Sequence, residues 1–199
     1  MPESNQAGLR RSLRAARRAL GTAQRLAAAT AVDTSLARMG LPRPRSRIAA
    51  YRAMDGELDP VIVMRRALAL GCEVHVPVVT SLRRRRMRFA AWPDEPPRPR
   101  ADGDAARWFD LVLVPLVGFD DDGNRLGMGA GFYDRHFAFL RHRDAWHRPL
   151  LLGLAFEVQR LERLPAKSLD VPLWGVVTER AIHGRAATRI RRKPAETGS

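Results

Sequence analysis

Apolar positions along the chain follow two periods, and the alternation between them predicts the architecture. Leu9, Leu13, Ala16 and Leu20 recur at helical spacing over residues 6–20, opposite arginines at 10, 11, 14, 17 and 18 that read as a solvated face. Gly21 and Thr22 end that helix and start a second, which runs to about residue 39. After a Pro- and Arg-rich linker, the run IAAY (48–51) predicts a short strand. Asp59 and Pro60 then open a helix to about residue 70, which makes a β-α unit. CEVHVPVV (72–79) predicts a strand that stops at Pro77, MRFAAW (87–92) a short third strand, and PDEPPRPRADGD (93–104) an irregular segment. DLVLVP (110–115) is nearly continuously apolar, as in a parallel strand buried on both faces. A helix from residue 131 to about 141 and strands in PLLLGLAF (149–156) and WGVVTE (174–179) follow. Strands alternating with helices predict an α/β fold: three layers, α/β/α, around a mostly parallel central sheet, Rossmann-like. Residues 1–183 are expected to form one domain, and the basic stretch 184–199 a flexible tail.

The candidate chemistry lies between the DLVLVP strand and the helix after it. RLGMGAGFYDR (125–135) has glycines at 127, 129 and 131, which remove side chains between a ligand and the backbone just where a helix N-terminus presents free N–H groups. That suits a nucleotide or a phosphorylated intermediate. The spacing is neither G-x-G-x-x-G nor a Walker loop, so on the residues alone a tight glycine turn explains it as well. FDDDGN, just upstream, lacks the alternating ligands and bidentate Glu of a calcium loop and reads as a turn.

Composition narrows the classes. No run approaches a membrane helix, and the single cysteine, Cys72, excludes an intramolecular disulfide and fits a reducing compartment, so a cytoplasmic monomer without a membrane partner is expected. The net charge of +14 would attract nucleic acid, but all but two of the 35 basic residues are arginines. Coding bias accounts for that, and neither aromatic interleaving nor a nucleic-acid module accompanies the Arg83–Arg86 run, which reads as a solvated loop. The five histidines lack zinc spacing.

Taken whole, PLVGFDDDGNRLGMGAGFYDR (115–135) resembles the signature of the 5-formyltetrahydrofolate cyclo-ligases, also called methenyltetrahydrofolate synthetases, and the resemblance runs from Leu9 to about Thr178. The departures are Met128 for Arg, Ala130 for Gly or Lys, Phe132 for Tyr, and a shortened segment around residues 92–105 in which only Glu95-Pro96 matches the family pattern. The resemblance implies ATP- and magnesium-dependent closure of 5-formyltetrahydrofolate to 5,10-methenyltetrahydrofolate through an imino-phosphate. It places Arg10, Arg14, Arg125, Leu126, Gly127, Met128, Gly129, Ala130, Gly131, Phe132 and Tyr133 around ATP, with Arg125 and Tyr133 catalytic. It further implies that Tyr51, Met54 and Glu57 line the folate pocket and that Asp134 and Asp170 hold Mg2+. Trp92, in the segment where the match fails, is a candidate aromatic wall to the folate by its ring alone, and a partly exposed loop residue explains it as well. Gln159 also matches a family position. Two other classes stay open: a family member that binds folate or nucleotide without turnover, and a basic nucleic-acid-binding protein.

Overall fold

The computed structural model describes residues 3–93, 105–142, 149–164 and 171–187. Its helices are α1 (Glu3–Arg18), α2 (Thr22–Arg38), α3 (Val61–Ala69) and α4 (Phe132–His136). Its strands are β1 (Arg47–Ala49), β2 (Glu73–Ser81), β3 (Arg86–Ala91), β4 (Leu111–Pro115), β5 (Gly118–Phe119), β6 (Arg125–Leu126), β7 (Leu150–Leu154), β8 (Gly175–Val177) and β9 (Ile182–His183). Seven strands form one sheet in the order β3-β2-β1-β4-β7-β8-β9, and β5 and β6 make a separate antiparallel ribbon.

The five inner strands are parallel, and only the edges β3 and β9 run antiparallel to their neighbours. Counted in chain order, the parallel strands stand 2-1-3-4-5, so the winding reverses between β1 and β4. In open α/β sheets the crevice beyond the strand ends at such a reversal is where ligands bind. Both flanking strands feed it directly, β1 through residues 50–60 and β4 through the glycine-rich turn.

The apolar runs alternate between two cores, as strands covered on both faces must. Leu111, Leu113, Leu152 and Leu154 face Val32 and Leu36 of α2 and Val63 and Met64 of α3. Val112, Val114, Leu151 and Val176 face Phe89, Phe109 and Phe137. A third, small cluster seats α1: Leu13 packs with Val117, Leu126 and Leu164, with Leu9 beside them. The first helix therefore docks on the segments that leave the sheet.

Four expectations change. β2 passes through Pro77 to Ser81 instead of stopping there. The last β1 contact is the Ala50 N–H to the His75 carbonyl, and Pro77, two residues on, faces the same side past the end of β1, so no ladder bond is lost. α4 ends at His136 and continues after Phe137 as a 3-10 turn over Ala138–His142, not as one helix to residue 141. The two-residue strands of the hairpin β5–β6 and of the edge β9 are too short to leave a period in the sequence. Finally, Ala186 is fully buried against the α2–α3 core, so the packed domain extends past residue 183, and residues 188–199 of the expected tail lie outside the described ones.

Candidate active site at the strand reversal

The glycine turn is built from below by Asp120. Its buried carboxylate accepts N–H bonds from Asp122 (3.1 Å), Asn124 (2.9 Å) and Leu164 (2.8 Å) and the Asn124 side-chain amide (3.0 Å), so FDDDGN is a turn closed on its own backbone. The β5–β6 ribbon then delivers Arg125. Gly129 (φ +98°) and Gly131 (φ +65°) have left-handed backbone that side-chain-bearing residues rarely adopt, and Gly131 is the N-cap of α4. Met128 projects from the turn, 46 % exposed.

Two arginines of α1 reach this turn and the loop after β1 in the same manner. Arg10 Nε donates to the Gly127 carbonyl (2.9 Å) and Arg14 Nε to the Asp55 carboxylate (2.6 Å). Arg10 Nη2 also touches Gln6 (3.4 Å), while neither terminal nitrogen of Arg14 makes a hydrogen bond among the described residues. On the opposite flank the β2–β3 turn brings Arg85 to Gly131: a methyl placed on that glycine would stand 4.0 Å from Arg85 Nη1. Arg85, Arg86, Arg88 and Arg135 line a cavity of about 630 Å³ there, and all four arginines of the Arg83–Arg86 run are exposed, as a solvated loop would have them.

The loop after β1 carries the polar floor. Tyr51 is buried, its hydroxyl donating to the Leu58 carbonyl (2.6 Å); burial pushes its pKa up. The Glu57 side chain is 6 % exposed, accepts the Met54 N–H (3.2 Å) and lies 3.8 Å from Arg17; burial raises its pKa, against the pull of that N–H and of Arg17. Tyr133 stacks on Phe137, and its buried hydroxyl has no hydrogen-bond partner among the described residues. Burial first, and then the Glu57 carboxylate, raise its pKa, while Arg125 opposes them. A buried donor without a partner beside a buried carboxylate marks a place prepared for a polar ligand. Met54 is 63 % exposed at the rim.

Arg125 and Asp134 bind each other directly, Arg125 also donates to the Val171 carbonyl, and the Val171 N–H donates to Asp134 (3.1 Å). The pair thus clamps the chain at residue 171 to the start of α4. Asp170 lies outside the described residues. Among the described residues no group of three or more His, Cys, Asp or Glu side chains gathers as a protein-built metal site would. Asp134, one carboxylate already held by an arginine, fits an ion that takes most of its ligands from phosphate and water.

Trp92 is not brought here. Its N–H donates to the Val74 carbonyl at the start of β2, the end of the sheet away from the loops, and its ring packs on the α2–α3 core.

Residues 2–179 match the model of the 5-formyltetrahydrofolate cyclo-ligase family. The chain belongs to that family. Curated relatives with this name include those of Haemophilus influenzae (30 % identical over 147 residues, 68 % of this chain and 76 % of the relative) and Escherichia coli K12 (31 % over 143 residues, 66 % and 76 %). The mouse relative is 24 % identical over 189 residues, 86 % of this chain and 92 % of its own. Among solved structures, the 5,10-methenyltetrahydrofolate synthetase of Mycoplasma pneumoniae superimposes with a TM-score of 0.71 at 25 % identity, covering 87 % of this chain and 98 % of that one. The synthetase of Aquifex aeolicus gives 0.70 at 24 % identity over 98 % and 96 % of the two chains and agrees in fold.

Two residues of this cyclo-ligase site escape a reading of the sequence. Arg17, assigned to the solvated face, has no exposed surface: it donates to the Asp55 carbonyl (3.0 Å), the Asp55 carboxylate (3.1 Å) and the Leu116 carbonyl at the end of β4 (3.2 Å). A signal for it exists, because Leu9, Leu13 and Arg17 stand four apart on one face. Asp55 takes Arg14, Arg17 and Arg18 together; hydrogen bonding from Arg14, then from Arg18, holds its carboxyl at about 2. Gln159 is buried and structural, its amide bonding the Leu116 (2.8 Å) and Val117 (3.0 Å) carbonyls.

Proposed function

We propose that this chain converts 5-formyltetrahydrofolate to 5,10-methenyltetrahydrofolate with ATP and Mg2+, releasing ADP and phosphate, and does so in the cytoplasm. The observation that carries the reading is the placement of Arg10 and Arg14: each is held by Nε where the glycine turn meets the loop after β1, a cationic mouth at the strand reversal. Membership of the cyclo-ligase family supports the substrate pair.

The chemistry needs positioning more than covalent help. The formyl oxygen is a poor leaving group; attack by it on the γ-phosphorus breaks the bond to ADP and gives an imino-phosphate. The neighbouring folate nitrogen then adds to the formyl carbon and loses its proton as the carbon–oxygen bond breaks and phosphate leaves. In this chain the N–H groups over 127–131, Arg10 and Arg14 take the phosphates. Arg125, fixed by Asp134 and Val171, stands beside them. Glu57 accepts from the pterin N–H groups, Tyr51 and Met54 line that pocket, and the Tyr133 hydroxyl finds its partner on the bound substrate. Bound Mg2+ would neutralise phosphate charge, with Asp134 and Asp170 as its protein carboxylates.

The test is to mix pure protein with ATP, Mg2+ and 5-formyltetrahydrofolate and follow the absorbance of the methenyl product. Binding of both ligands without product would instead select the degenerate family member, with Met128 in the turn as the first suspect.

Glu57→Gln is expected to weaken folate binding about tenfold while sparing ATP, since bonds to an ionised acceptor are roughly twice as strong as those to an amide. Fluorescence titration with each ligand separates the two, and equal losses would reassign Glu57 to folding. Asp134→Asn should keep the Val171 contact but release Arg125, lowering turnover about tenfold or more and raising the Mg2+ concentration needed for half-maximal rate. An unchanged Mg2+ requirement would leave Asp134 a clamp and nothing more.

A further inference from the structure

We infer that Asp55 is a positioning residue for the nucleotide, acting through Arg14: it takes the Nε of that arginine and so directs both terminal nitrogens, which make no hydrogen bond among the described residues, toward the phosphates. The inference rests on the ATP reading above and assigns a role to a residue that reading does not use.

The geometry of the loop explains why an aspartate stands there. Asp55 (φ +54°) and Gly56 (φ +76°) turn the chain in two successive left-handed residues between Met54 and Glu57. The turn aims the short carboxylate back at α1, where one oxygen collects Arg14 Nε (2.6 Å) and Arg17 Nη2 (3.1 Å) and the other meets Arg18. The Asp55 carbonyl takes Arg17 Nε as well (3.0 Å). A methyl on Gly56 would stand 3.4 Å from Arg18 Cγ and 3.5 Å from its Cα, so the loop lies against the helix backbone.

Three cations outnumber the Asp55 carboxylate and the neighbouring Glu57, so Asp55 organises the charge without cancelling it. An arginine fork binds phosphate through its terminal nitrogens, and holding it by Nε is the arrangement that leaves them available and limits the rotamer freedom lost on binding. Arg10 is held in the same way by the Gly127 carbonyl, one helical turn away. A carbonyl and a carboxylate thus pre-set two neighbouring arginines.

The experiment is a double-mutant cycle read by direct ATP binding to the full chain, with folate binding and thermal unfolding as parallel readouts. Asp55→Asn is expected to weaken ATP binding about tenfold, and Arg14→Ala at least as much. The double variant should bind ATP no more weakly than Arg14→Ala alone, because the aspartate acts only through that arginine. Additive losses in the double variant would overturn the inference, as would ATP affinity unchanged in Asp55→Asn. Arg18→Ala removes a partner of Asp55 but leaves the Arg14 contact; a tenfold loss of ATP affinity there would also overturn it. A purely structural Asp55 would show itself by equal losses for ATP and folate together with a lowered melting temperature, and Asp55→Glu would then not restore the preference. A wild-type chain that binds no ATP would remove the function reading and this inference together, whereas failure of the cycle with ATP-binding wild type removes the inference alone.

Discussion

Arg17→Ala is expected to be the most destabilising single change in the first helix, by about 3–5 kcal/mol, the cost of taking one partner from a buried charged pair. The side chain has no exposed surface and joins three parts of the fold: α1, the Asp55 turn and the Leu116 carbonyl where β4 leaves the sheet. Alanine would leave Glu57, 3.8 Å away and 6 % exposed, without its nearest guanidinium, and would open a void where the stem lay. Arg14 and Arg18 stay on Asp55 and Gln159 stays on Leu116, so the loss should fall toward the lower end of the range. For a chain of this length that lowers the melting temperature by roughly 10 °C. Arg17→Lys should recover only part of it, since an ammonium is one point charge where a planar fork serves several acceptors. Thermal unfolding followed by circular dichroism tests this: a shift within two or three degrees would mean that the buried guanidinium is not needed to seat α1.

Arg10→Ala/Arg14→Ala should weaken ATP binding by about two orders of magnitude or more, taking roughly 1.5–3 kcal/mol for each hydrogen bond to a charged group. Each arginine keeps a protein contact through Nε, so the variant also loses the Gly127 and Asp55 anchors, and the melting temperature should be recorded beside the affinity. The buried Arg17 rules out Arg17→Ala/Arg18→Ala as the matching control for a +14 chain. Arg11→Ala/Arg38→Ala removes the same charge from two exposed positions and should do far less. Similar small losses in both double variants would return α1 to a solvated basic face.

The sequence by itself determined the longer sheet-forming runs, their order among the helices, and the place of the glycine turn. Each of these depends on neighbours in the chain: period-two or continuous apolar runs, caps such as Asp59 at the Val61 N–H (3.0 Å), and glycines where the backbone must turn left-handed. The family signature at residues 115–135 likewise lies within one contiguous stretch. Tertiary structure decided which arginines of α1 reach the glycine turn and the Asp55 loop and which of them is buried. The spacing of Leu9, Leu13 and Arg17 puts that arginine on the apolar face of α1 but names no partner for its charge; the partners are Asp55, 38 residues beyond Arg17, and Leu116, 99 residues beyond it. Those partners meet α1 only because β1 and β4 are neighbours at the strand reversal. Trp92 errs the other way: its aromatic character suited a folate wall, but the antiparallel return of β3 carries it to the start of β2, away from the loops. A charge can be buried only where its partner already is, and that is set by long-range pairing, which no local period records.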